Sequence, residues 1–270
     1  MQTVNGYLSK MCTDLYVNGD ENQRVRTSIS TMSDRSDLYF GNPNRCIHKV
    51  VKKRIFGSYD RDTIISRKYD DGSDVDYLIV FEDSMNYTPQ TCLNWLKGFA
   101  EFWYASSIVK QSSPTIVIEL QNIKFELIPS YIDSMGRIYI PKDDKTWQTT
   151  NIEVLSNDML TVNKKYNYVF KNAIRIIKYW NIKRNLKKYK SYQLEEYLTN
   201  KFMSSSAHCE TLLAMLDWMF FYLSQYTYID EYVTDRINRA MSLIEEAKRF
   251  DQYGYHEKAI ETIKKILPET

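Results

Sequence analysis

The sequence predicts an α+β protein: a mixed sheet backed by helices, followed by a helical half. Three observations predict it. The run "VDYLIVF", residues 75–81, is rich in the branched and aromatic residues that strands favour. The segments "PTIVIEL" and "IKFELIPSYI" share that character and are joined by Gln121-Asn122, a hairpin signal. From about residue 164 onward, apolar residues recur at helical spacing nearly to the end.

Each element follows in order. Residues 2–18 and about 21–38 read as helices, with Val4, Tyr7, Leu8, Met11, Leu15 and Tyr16 at helical spacing. "YFGNPNR" breaks the pattern with Gly and Pro. A short helix, roughly Ile47 to Lys53, is expected to lead into "RIFGSY". A helix begins near Pro89, which suits a first helical turn. On the strand after the hairpin, Lys124, Glu126 and Ile128 share one face, and Phe125 and Leu127 the other. In the helical half, Phe170, Ala173, Ile174, Ile177 and Trp180 form one stripe with basic residues around it. "SYQLEEYLTNKFM" is a helix with Ser191 expected as its N-cap. Three further helices are expected over about 208–225, 229–250 and 255–267, with His208 as a helix-start residue. The domain boundary is expected at 160/161: residues 1–160 a core with N-terminal helices, 161–270 a helical domain.

Bulk properties exclude several classes. The 270 residues are 43% hydrophobic, enough for a sizeable core. A formal net charge of +2 does not declare a nucleic-acid binder, so any positive surface is local. The cysteines, Cys12, Cys46, Cys92 and Cys209, form no C-x-x-C pair, and the histidines are scattered, so no zinc or haem spacing exists. The N-terminus lacks a basic stretch followed by an apolar one. The most apolar window, residues 211–223, is too short to span a bilayer and carries Asp217. Reduced thiols, a cytoplasmic location and no membrane partner are the expectations.

The chemistry gathers around "FGSYDRDTIISRKYDDGSDVDYLIVF". Gly57 lets a backbone approach a phosphate, and the Ser58 hydroxyl can donate to one. Asp74 and Asp76 lie on one face of a strand because side chains alternate with period two. Glu126 stands on another strand, just ahead of Ile128-Pro129. Three carboxylates from two strands suit hard divalent cations, which take oxygen ligands. Glu119 is a rival third carboxylate, but it lacks the following Ile-Pro.

The ordered set Gly57-Ser58, Asp74-x-Asp76, Glu126, Lys178-Tyr-Trp and Ser191-Tyr resembles the DNA polymerase β-like nucleotidyltransferases. "IRIIKYWN" and "SYQLEEYL" resemble the oligoadenylate synthase and cyclic GMP–AMP synthase branch, whose bacterial members are the CD-NTases of anti-phage signalling. The likeness covers roughly residues 20–225. It implies a polymerase β-like core plus a helical half, with the active site in the cleft. It further implies that Asp74, Asp76 and Glu126 hold two Mg²⁺ ions, with Mn²⁺ a substitute, and that Glu126 helps deprotonate the acceptor hydroxyl. Gly57 and Ser58 would bind donor phosphates, Lys178 and Ser191 would reach the triphosphate, and Tyr192 would pack near the base. The implied activity is synthesis of cyclic or short linear oligonucleotide messengers from NTPs, with a defence effector or regulator protein as partner.

Three features depart from the family pattern. Asp62-Thr63 stands where Gly-Thr is usual, and "SRKYDDG" lengthens the interval and adds Asp70 and Asp71, which are expected to face water. The third carboxylate is Glu where many relatives carry Asp. The basic run "IKRNLKKYK", with Lys183–Lys190, reads either as a solvated loop or as a rim that steers nucleotides or RNA. It keeps open a nucleotidyltransferase acting on tRNA or RNA 3′ ends or on a protein. A third reading is a nucleotide- or RNA-binding module without turnover.

Overall fold

In the computed structural model, which describes residues 2–112, 114–226 and 230–270, the helices are α1 (Val4–Leu15), α2 (Gly19–Phe40), α3 (Gly57–Asp60), α4 (Pro89–Trp103) and α5 (Ile152–Lys165). They continue with α6 (Phe170–Arg184), α7 (Ser191–Ser204), α8 (Leu212–Ser224), α9 (Glu231–Gln252) and α10 (His256–Lys264). The strands are β1 (Val50–Phe56), β2 (Asp74–Phe81), β3 (Ile108–Ser112), β4 (Thr115–Glu119), β5 (Lys124–Ile132), β6 (Ile138–Pro141) and β7 (Trp147–Thr150). The chain forms two compact units. One comprises Val17–Arg61 and Gly72–Glu153; the other comprises the chain up to Tyr16, Asp62–Asp71 and Val154–Thr270. The units are thus interleaved along the sequence, whereas the expected boundary at 160/161 cuts it once.

In the sheet unit the strand order is β1-β2-β5-β4-β3, with β6 pairing β5, and β7 pairing β6. β2 and β5 are parallel; β1–β2, β3–β4 and β4–β5 are antiparallel. Both faces of β2 are covered, which explains its unbroken apolar run from Tyr77 to Phe81. On one face Phe81 meets Phe40 of α2 and Trp95 of α4 edge-on, and Tyr77 meets Phe125. On the other, Leu78, Val80 and Ile128 pack with Phe56, Ile138, Ile140 and Ile152. Asp74, Asp76, Lys124 and Glu126 share this second face by alternation. Pro89 opens α4 behind Thr88, whose hydroxyl accepts from the Thr91 amide at 3.3 Å.

The expected hairpin between β4 and β5 is present, with Glu119 opposite Lys124. The expected short helix over 47–53 is not: residues 50–56 form β1. Val50 and Val51 suit a strand, and β2 offers a free edge for β1 to pair with. β3, β6 and β7 are additional strands. They are short and partly exposed, so their alternation is weak in sequence.

In the helical unit α6 is the central element. Phe170 and every residue from Ala173 to Asn181 are buried, so the helix is enclosed all round rather than along one stripe. Val4, Leu8, Met11 and Leu15 of α1 join this core with residues of α7, α8, α9 and α10. The strap Asp62–Asp71 is bound to the end of α1: the Ser66 amide donates to the Leu15 carbonyl at 2.9 Å, and Ile65 bridges Tyr16. The apolar stretch Leu212–Leu223 is the buried helix α8, capped by Thr211. His208 lies in the loop ahead of that cap rather than at the helix start. The expected helix from 229 begins outside the described residues; α9 runs from Glu231, behind the Asp230 cap. Among the described residues no helix is long and apolar enough to cross a membrane.

Candidate active site

The sheet order puts four predicted residues side by side. β1 ends at Phe56, directly opposite Asp76 on β2, and Asp76 stands opposite Glu126 on β5. Asp74, one pleat earlier, stands opposite Lys124. Gly57 follows Phe56 with φ +73°, a left-handed conformation that turns the chain out of β1 into α3. A Cβ on Gly57 would lie 1.8 Å from Asp76 Oδ2, so the carboxylate rests against the glycine backbone. Glycine is required here both for φ and for space. Ser58 follows, half-buried, within the same turn.

Lys124 supplies positive charge to two of the three carboxylates, Asp74 and Glu126. Its ammonium lies 3.0 Å from Asp74 Oδ2 and 3.3 Å from Glu126 Oε1. Burial pulls the lysine pKa down, but the two carboxylates outweigh it and leave it raised. Burial, and then the Asp74 charge, pushes the Glu126 carboxyl up, against the opposing pull of Lys124. Lys124 shares a face with Glu126 in the sequence alternation, and that spacing is the one signal that marks it as part of this site. Glu119 stands at the end of β4, opposite Lys124 and Ile108, two residues along from the Val117 that pairs with Glu126.

The donor set is all oxygen, which suits a hard divalent cation. Among the described residues no three His, Cys, Asp or Glu side chains are drawn around one point. The Lys124 ammonium instead bridges Asp74 and Glu126, a monovalent stand-in for a cation on this face. The three carboxylates therefore fit a metal in chemistry and in strand position.

The helical unit carries the other predicted residues. Lys178 is neither a solvated helix lysine nor open to an incoming phosphate here. Its ammonium donates to Glu195 Oε1 at 3.0 Å and to the Thr63 carbonyl at 2.8 Å, and Thr63 Oγ1 donates to the same Glu195 oxygen at 2.7 Å. Ser191 is the first residue of α7, with Lys190 as N-cap and no side-chain capping bond, so the expected cap falls one residue early. Tyr192 is exposed and its hydroxyl donates to Glu196 at 2.6 Å. Asp71 faces water as expected, its side chain 96% exposed, whereas Asp70 is largely covered and meets the Lys187 ammonium at 2.9 Å. Lys188 pairs with Asp230 at 2.9 Å, so two lysines of the basic run are already engaged.

Comparisons with known proteins bear on the family and the fold. Over 186 residues, 58% of the chain, it is 26% identical to a probable cyclic nucleotide synthase of Bacillus cereus (strain VD146). It spans about half, 54%, of the length of that curated relative. Its fold matches E. coli MS115-1 CdnC, solved with ATP, with a TM-score of 0.73 at 13% identity over 97% of this chain and 96% of that one. CdnC has also been solved in complex with HORMA-deltaN. The Bradyrhizobium diazoefficiens CD-NTase CdnG in complex with GTP matches with a TM-score of 0.69 at 13% identity, over 97% and 98% of the two chains. The Vibrio cholerae DncV cyclic AMP-GMP synthase matches with 0.65 at 11% identity, over 80% and 68%. The model of the Second Messenger Oligonucleotide or Dinucleotide Synthetase domain matches residues 1–163, the span that holds Gly57, Asp74, Asp76 and Glu126, and the chain belongs to that family.

Proposed function

We propose that this chain is an Mg²⁺-dependent nucleotidyltransferase that makes cyclic or short linear oligonucleotide messengers from NTPs. The observation that carries the reading is the Asp76–Glu126 pairing across parallel strands, with Asp74 one pleat away and Gly57 pressed against Asp76. The family membership supports it, as do relatives bound to ATP and GTP. A HORMA complex of one relative supports a regulator protein as partner. Action in the cytoplasm, in anti-phage defence, is part of the same reading.

Asp74, Asp76 and Glu126 would hold the metal. Held there, Mg²⁺ would supply Lewis-acid activation of the acceptor hydroxyl and charge neutralisation for pyrophosphate. Glu126 would also help to deprotonate the acceptor hydroxyl. Gly57 brings backbone close to the donor phosphates, with the Ser58 hydroxyl beside it. Ser191, exposed at the first turn of α7, is assigned to the triphosphate, where a helix start favours anions. Tyr192 is assigned to the base. Lys178 is assigned a positioning role, holding Thr63 in the strap that follows the Gly57 turn.

Incubation with labelled NTPs and Mg²⁺, with and without tRNA, tests the reading. Soluble oligonucleotide products are expected from the wild type, and none from Asp74→Asn or Asp76→Asn folded to the same thermal midpoint. Label appearing on tRNA, or turnover surviving either substitution, overturns it.

A further inference from the structure

The helical unit holds a basic cavity that the nucleotidyl-transfer reading leaves unused. Arg184 in the last turn of α6, Arg236 and Arg239 on α9, and Lys265 just past α10 line one pocket of about 70 Å³. Trp180 and Ile266, both buried, are among its apolar lining residues, and no carboxylate lines it. Neighbouring lysines are neutralised: Lys188 by Asp230, and Lys264 by Glu261 and Glu269. Among the described residues, none of the four pocket cations forms an ion pair.

Two further features favour an anion at this pocket. Arg184 Nε is buried with no hydrogen-bond partner among the described residues, a donor that a buried site normally satisfies. The Arg236 guanidinium is set 4.9 Å over the Tyr232 ring, which fixes its direction. The helix dipole explains a cation at the end of α6 and another at the end of α10. It does not explain Arg236, in the second turn of α9, where the dipole disfavours positive charge. Arg236 and Arg239 are three residues apart and so share a helix face.

We infer that this cavity binds the phosphoryl groups of a small molecule, a di- or triphosphate such as a free nucleotide carries. Three guanidinium forks present paired donors to phosphate oxygens, and an apolar floor strengthens their field. A water-sized atom needs roughly 10–15 Å³ of such space, so the pocket admits a phosphoryl group rather than a whole nucleoside. The apolar walls, Trp180, Ala240, Leu243 and Ile266, favour the end of a small molecule over a nucleic-acid backbone, which a flat basic surface would track instead.

Calorimetric titration of the full chain in EDTA, with inorganic pyrophosphate and separately with ATP, tests the site. Chelation leaves the Asp74, Asp76 and Glu126 carboxylates repelling both probes. Salt-sensitive pyrophosphate binding is expected in the wild type and in Asp76→Asn, with ATP binding if the source is a nucleotide and not if it is inorganic. The double substitution Arg239→Gln, Lys265→Gln, at two exposed positions, is expected to weaken it about tenfold or more. Arg184→Lys keeps the charge without the fork and should fall between the two. Pyrophosphate bound equally by the double variant, bound by no form, or replaced by duplex RNA as the only anion bound overturns the inference.

Discussion

Lys178 and Glu195 form a buried ion pair at 3.0 Å, with side chains 5% and 0% exposed. Their third partner is Thr63, through both its carbonyl and its hydroxyl. Removing Lys178 takes away a cation that the buried Glu195 carboxylate meets at 3.0 Å. Lys178→Ala is therefore expected to cost about 3–5 kcal/mol of stability. Lys178→Met combined with Glu195→Leu should recover most of it, because no lone charge remains. Urea unfolding measures both; an unchanged midpoint for the single variant would show that Glu195 has another source of compensation.

Gly57→Ala sets a methyl group where Asp76 Oδ2 now lies and asks alanine to hold φ +73°. A loss of roughly 1–3 kcal/mol is expected from the backbone alone. Displacing the carboxylate should lower NTP turnover about a hundredfold, since misplacement of a reacting group by an ångström costs that much. Full activity in a folded Gly57→Ala protein would detach Asp76 from the chemistry.

Lys124 competes with any cation for Asp74 and Glu126. In metal-free buffer Lys124→Gln should lower the thermal midpoint, because the carboxylates then repel each other. Added Mg²⁺ should restore it at about tenfold lower concentration than the wild type needs, since a charged hydrogen bond no longer has to be displaced. Identical Mg²⁺ titrations of the two proteins would mean that the ion binds elsewhere.

Burial pushes the Cys12 and Cys92 thiols up to about 12 and Cys209 up to about 11, from an ordinary value of 9.0. The unfolded chain gives up these protons near pH 9, while the folded chain keeps them. Stability is thus expected to fall as pH rises from 9 toward 12, the direction required when the native state binds more protons. Labelling with a thiol reagent at pH 8 should reach Cys46, which is only half-buried, well before Cys12 or Cys92.

The parts of this molecule that sequence reveals are those specified by neighbours in the chain. The β2 run, the Gln121-Asn122 hairpin, Pro89 at the head of α4 and the alternation that aligns Asp74 with Asp76 all rest on local spacing. The carboxylate face was legible for that reason. What stayed hidden depends on partners far away. Lys178 meets Thr63 across 115 residues, and Lys187 meets Asp70 across 117. A basic residue beside an apolar stripe looks solvated until the helix is found enclosed, as α6 is. Residues 47–53 read as a helix in the sequence, because it is the pairing with β2, not local spacing, that makes 50–56 a strand.

The interleaving of the two units has a consequence for biosynthesis. α1 leaves the ribosome well before α6, α8 and α10, against which it packs. Until then Val4, Leu8, Met11 and Leu15 have no core to enter, while residues 17–61 and 72–153 can already assemble the sheet. Nascent chains should therefore expose an apolar N-terminal helix to chaperones through most of elongation, and the helical unit should acquire protease resistance only once synthesis has passed α10.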